Sequence, residues 1–139
     1  MAKWTPFPHL GDYHFDAANL KKYWVRLHMG DAEPLPLQAA VLHAWALLHN
    51  GDFQGAAEAG WRAGNAGVTV AAKATAIYAT YLEKTEKTRL DFFLRVAERA
   101  EALIHASPCY ANAWYWYAYA LNGYSQSISV AEALAQGLG

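Results

Sequence analysis

The chain has 139 residues, a length that suits one domain with a core of its own. Hydrophobic residues make up 55%, aromatics 14% and charged residues only 17%, which leaves more apolar surface than a small core hides. A formal net charge of −1 excludes the dense Lys/Arg footprint of a nucleic-acid-binding face, and the single cysteine, Cys109, excludes an internal disulfide or a cysteine metal cluster. No stretch approaches eighteen apolar residues without a charge or a breaker, so no membrane partner is expected. The opening "MAKWTPFPHL" has no apolar core of a secretory signal, and the cytoplasm is the expected compartment.

Residues 1 to 15 hold Pro6, Pro8 and Gly11 among aromatics and read as an irregular arm packed by Trp4, Phe7 and Phe15. Asp16 is an N-cap for a helix whose Leu20, Tyr23, Trp24 and Leu27 recur at i, i+3, i+4 and i+7, ending near Gly30. Pro34 and Pro36 break the chain, a second helix runs from about Leu37 to His49, and "NGD" (Asn50 to Asp52) turns into a third from Phe53 to about Ala63. "GNAG" (Gly64 to Gly67) closes it, and a fourth spans about Thr69 to Leu82. "EKTEKT" (Glu83 to Thr88) reads as a loop, with Thr88 and Asp91 as a capping box for a fifth helix that Pro108 ends. "NAWYWYAYALNGY" follows, with six aromatics in thirteen positions. Gly123 and the serines after it predict a turn, and a short last helix is expected from about Ser129. No strand pattern competes, so the fold class expected is all-α, built from antiparallel helix pairs.

The pairs repeat. Trp114, Tyr117, Ala118 and Leu121 stand at the same offsets from Pro108 as Ala40, His43, Ala44 and Leu47 do from Pro34, and as Ala74, Ile77, Tyr78 and Tyr81 do from Val68. Ala44 to Tyr78 is thirty-four residues, and Tyr78 to Ala118 is forty, the excess matching "EKTEKT". On "PCYANAWYWYAYAL", with Pro108, Ala113, Trp114 and Ala118, and on "HNGDFQGAAEAG", with Gly51, Asp52, Phe53 and Ala56, the chain resembles the tetratricopeptide repeat family from about Pro34 onward. The middle unit departs from that pattern: it lacks the proline and the turn glycine and has Tyr78 where a small residue belongs. His43 and Gly60 replace a leucine and an aromatic in the first unit. The arm and "YLEKTEK" are also similar to bacterial repeat proteins longer than this chain, which would make the sequence an N-terminal portion. The resemblance implies a short α-solenoid in repeats of about 34–67, 68–107 and 108–139, preceded by an arm and capping helix over 1–33.

In a helix, Trp114, Tyr117 and Leu121 form one stripe, expected to pack on the partner helix, while Tyr115 and Tyr119 form a second, flanked by Asn112 and Asn122. By resemblance the second stripe faces an inner groove that holds peptides. The same offsets add Gln38, Val41, Trp45 and His49 from the first unit and Ala72, Thr75 and Ala79 from the second. That lining has no Lys or Arg, which argues against clamping a peptide carboxylate. The competing reading is that residues 1 to 30 fill the groove and make these positions core.

Other chemistry is sparse. His43 and His49 fall on different helix faces, and His9 and His14 could form only a loose site with Asp12 and Asp16, so no metal and no cofactor is expected. Cys109 has no base near it in sequence, and no nucleophile–base set is recognisable, so no enzyme is expected. The functional expectation is a non-enzymatic binding or scaffold module for a protein or peptide; the alternative is a closed aromatic slot for an apolar small molecule or lipid, lined by Trp45, Tyr115 and Tyr119. A last helix too short to cover the aromatic one before it implies self-association through the C-terminal helices.

Overall fold

Asp16 starts the first helix as its spacing requires. Its carboxylate accepts from the Asn19 N–H at 2.9 Å, and the Asn19 side chain accepts from the Asp16 N–H at 2.7 Å, a reciprocal cap. The structure, a computed structural model, describes residues 3–135, with helices α1 (Ala17–Leu27), α2 (Ala39–His49), α3 (Phe53–Arg62), α4 (Val68–Tyr81), α5 (Glu86–Ala106) and α6 (Ala111–Ala135). A 3₁₀ turn over Gly64–Gly67 joins α3 to α4. The described residues contain no strand, and the fold is all-α with adjacent helices packed as pairs. No helix among them is long and apolar enough to cross a membrane.

The chain divides into two compact units, Met1–Ala74 and Thr75–Gly139. Within the first unit the arm is stitched to the first helix pair. The Asn50 side chain accepts from the Phe15 N–H at 2.6 Å and donates to the Phe15 carbonyl at 3.0 Å, and the Trp4 N–H donates to Gln54 at 2.9 Å. Phe7 meets Phe53 edge to face, with ring centres 5.3 Å apart, and covers Gly51, whose φ of +88° suits the turn between α2 and α3. Gly60, set where the repeat pattern has an aromatic, lets the backbone at Gly67 approach: a Cβ there would stand 2.7 Å from the Gly67 carbonyl oxygen. Close backbone contact has replaced side-chain packing.

In the second unit α5 and α6 form the most extensive pair. Phe93 lies against Gly123, and Arg89 shares a cleft with Ser127, so the two helices run antiparallel from the turn at Ser107–Tyr110, where Cys109 is exposed. Two expectations fail here. Helix α5 begins at Glu86 with Thr85 as its N-cap residue, so Thr88 lies inside the helix and makes no capping box. Helix α6 does not turn at Gly123 or at the serines but runs 25 residues without a break, so there is no separate short last helix, while Trp114, Tyr115 and Leu121 remain exposed on it. Serine is weak but tolerated in helices when its hydroxyl returns to the backbone, as Ser129 Oγ does to the Ser125 carbonyl at 3.0 Å. Gly123 marks a close approach: a Cβ would stand 2.7 Å from the Phe93 ring.

The buried stripe of α6 is Ala113, Trp116, Ala120 and Ser127, one step from the expected Trp114, Tyr117 and Leu121. Trp114 is 50% exposed and donates its indole N–H to the Pro108 carbonyl at 2.8 Å, whereas Trp116 is 7% exposed. Trp116→Ala should therefore cost on the order of 3–5 kcal/mol and Trp114→Ala about 1 kcal/mol, read as denaturant midpoints. Equal losses would put both rings in the core. Gly60→Ala should lower stability by about 2 kcal/mol despite the helix propensity gained, because the obstacle is backbone; a stabilised variant would contradict the close approach.

Candidate functional site

The positions expected to line one groove have different fates. In the first unit Gln38 is exposed, His49 half-buried, and Val41 and Trp45 are sealed at 3% and 1% exposure. Thr75 is buried at 1%, with Ala72 and Ala79 fully buried. Helices α2 and α4 are apolar on nearly every side, so faces assigned to a groove are used as core; Val41, Trp45 and Thr75 present nothing to a ligand. Asn112 is half-buried, Tyr115 is 56% exposed, Tyr119 is half-buried and Asn122 is exposed.

Tyr119 and Asn122 line a cleft of about 260 Å³ in the second unit. Helix α6 adds Gly123, Gln126 and Ser127, α5 adds Arg89 and Phe93, and Thr80 comes from the end of α4. Arg89 corrects the expectation of a lining without a cation: it belongs to α5, the helix the repeat offsets did not project into the groove. The Arg89 guanidinium is held on two sides, by the Glu86 carboxylate at 3.0 Å and by the Glu83 carbonyl at 2.6 Å. Thr80 Oγ1 donates to the Ala76 carbonyl at 2.8 Å; its one proton is thereby used, so the Tyr119 hydroxyl, also at 2.8 Å, donates to Thr80. Tyr115 stands one turn before Tyr119, ring centres 6.2 Å apart, and Trp116 meets both rings edge-on from the buried side.

A separate polar cluster occupies the first unit. His28 Nε2 and His49 Nε2 are 3.0 Å apart, His28 Nδ1 is 3.0 Å from Asp31 Oδ1, and Lys73 Nζ pairs with Asp31 Oδ2 at 3.2 Å. Asp31 accepts from His28 Nδ1–H, so Nε2 of neutral His28 carries a lone pair and His49 donates to it. Aromatic rings enclose the pair: Trp24 stacks on His28 with centres 3.9 Å apart, Trp45 meets His28 edge-on, and Phe15 meets His49 edge-on. Trp45, covered by Trp24, His28 and the Lys73 ammonium, has no open face for an apolar ligand. Sequence reading missed His28, Asp31 and Lys73 because the chain of contacts spans forty-two residues from Asp31 to Lys73. The one local signal was the pair of acids in "DAEPLP": Asp31 also accepts from the Glu33 N–H at 3.1 Å across Ala32, whose φ of +51° is rare for a residue with a side chain.

Burial pushes both imidazoles down against the upward pull of Asp31, His49 to about 4, where the His28 and Lys73 charges add to its shift. For Asp31 burial acts upward, but the Glu33 N–H, Lys73 and His28 outweigh it and hold the carboxyl below its usual range. In the arm, His9 pairs with Asp12 at 3.1 Å and Asp16 is engaged in its cap. Among the described residues no group of three or more His, Cys, Asp or Glu is placed to hold a metal ion. No protein-family model, curated protein or solved structure matches the chain.

The unfolded chain takes up a proton at His49 below its ordinary pKa of 6.5, while the folded chain resists until about 4. The His49 contribution to stability therefore falls as pH drops through that window and changes no further below it, by on the order of 2 kcal/mol once the ring's partial exposure is discounted. His49→Gln, which can still donate to His28, should flatten that part of the curve in urea unfolding followed across pH. An unchanged slope would show that the pair does not stay neutral in the folded protein.

Proposed function

We propose that this chain is a non-enzymatic, tetratricopeptide-like binding module, a scaffold element that takes an extended peptide segment of a protein partner along Tyr115, Tyr119 and Asn122. The observation that carries the reading is the convergence on one cleft. Tyr119 and Asn122, picked out by repeat offsets alone, line a concave surface beside an exposed Tyr115. Aromatic rings supply contact area at low entropic cost, and side-chain amides match the donor–acceptor alternation of a peptide backbone. The rings are backed by Trp116, and the Tyr119 hydroxyl is held by Thr80, so they are pre-positioned. Nothing favours the closed-slot alternative once Trp45 is covered.

Selection from a random peptide library on the immobilised chain should enrich a consensus, and a peptide of that consensus should bind in fluorescence anisotropy. Tyr119→Ala should weaken it at least about tenfold with the helical signal unchanged. If no sequence is enriched, or if the enriched peptides bind Tyr115→Ala and Tyr119→Ala variants as well as the original chain, the reading is wrong.

A further inference from the structure

The cleft has an unusual balance of hydrogen-bonding groups for a surface hollow. Ser127 is only 9% exposed, lines the cleft, and its hydroxyl has no partner among the described residues. A serine inside a helix commonly turns its proton to a carbonyl one turn back, as Ser129 does; Ser127 makes no such bond, and its hydroxyl is open to the cleft. Tyr119 is in the opposite state, its proton spent on Thr80, so its oxygen offers lone pairs. Asn122 and Gln126, four residues apart on α6, each bring a carbonyl and an amide with no partner among the described residues. Among the described lining residues the one charge, Arg89, is already met by Glu86 at 3.0 Å. The hollow is therefore neutral overall and asks for donors and acceptors together.

We propose, resting on the peptide-binding reading above, that the cleft is a specificity pocket for one uncharged carboxamide side chain, asparagine or glutamine, of the bound segment. A carboxamide answers both sides: its oxygen accepts from Ser127, and its NH₂ donates to the Tyr119 oxygen and to the Asn122 or Gln126 carbonyl. A carboxylate brings acceptors only, meets the Tyr119 lone pairs unpaired, and competes with Glu86 for Arg89. An ammonium brings donors only and faces the Arg89 charge. An aliphatic side chain would leave the Ser127 hydroxyl buried and unmet, which is the kind of mismatch that discriminates strongly. The Phe93 ring and the bare Gly123 backbone form an apolar wall for the methylenes that precede the amide. About 260 Å³ accommodates such a side chain with its adjoining backbone.

Glutamine and glutamate blocked at both ends are isosteric probes that differ only in this group. Titrated into the full chain and followed by NMR, the blocked glutamine should give saturable shifts at Asn122, Gln126 and Ser127, with at least about fivefold higher affinity than the blocked glutamate. Ser127→Ala should reduce glutamine affinity about threefold to tenfold while leaving the thermal midpoint and helical signal in place, and Tyr119→Phe should do likewise. Glutamate binding as tightly as glutamine, no saturable shift with glutamine, or affinity untouched by both substitutions would each overturn the proposal. Glucose serves as a polyol probe; tighter binding of glucose than of glutamine overturns it too. The two readings fail separately. Enriched peptides that need Tyr119 but carry no Asn or Gln keep the binding module and remove the carboxamide pocket. Glutamine binding without any enriched peptide keeps the pocket and removes the peptide partner.

Discussion

The contact between the Phe93 ring and the bare backbone of Gly123 decides what the second unit can be. Had the chain turned there, as glycine followed by serines normally implies, Tyr119 and Asn122 would lie near the end of one helix and Gln126 and Ser127 would belong to a loop. Instead the helix passes straight through, because a glycine whose missing side chain is replaced by a neighbouring ring loses less than an exposed one. Twenty-five continuous residues then give α6 one face long enough to pack against α5 along its length and another that carries the cleft. The rotation of α6 follows from the same contact: with Gly123 toward Phe93, Trp116 and Ala120 turn inward, and Trp114 and Tyr115 turn out.

The first unit is held by a different device. Its aromatic residues do not pack only on each other; they wall in two imidazoles, a carboxylate and an ammonium that compensate one another in sequence from Lys73 to His49. Such a chain is stabilising only while every member is answered, since each link removed leaves a desolvated polar group behind. It ties the end of α1, the end of α2 and the first half of α4 into one unit, and the left-handed Ala32 is the local strain that this geometry tolerates. The Asn50 clasp on Phe15 does the same for the arm with two neutral hydrogen bonds.

Where sequence and structure agree, the signal is local. Asp16 caps, Pro34 breaks, "NGD" turns and Pro108 terminates because each acts through its own backbone geometry within a few residues. Helical class is legible for the same reason. The misreadings occur where a distant partner overrides a local preference: Phe93 cancels the breaking tendency of Gly123, and Arg89, pinned to Glu83 and Glu86, starts α5 ahead of the Thr88 signal. Helix rotation was the hardest feature to read in "WYWYAY", since rings occupy every face and periodicity cannot choose which pair goes inside. Tyr119 and Asn122, singled out because offsets carry from unit to unit, line the cleft. Ser127 and Gln126 were hidden behind the expected turn, and Arg89 lies on a helix that the repeat argument did not use.

The antiparallel course of α5 and α6 also ranks the parts of this pair by how readily they open. Contacts near the Ser107–Tyr110 turn join residues close in sequence, while Arg89 and Ser127 sit at the far end of the hairpin, where closing the chain costs most entropy and helix ends separate first. The cleft is built at that open end. A ligand seated there would act as a latch: it would slow fraying of both helices and spread protection back toward the turn, so that occupancy and local folding rise and fall together.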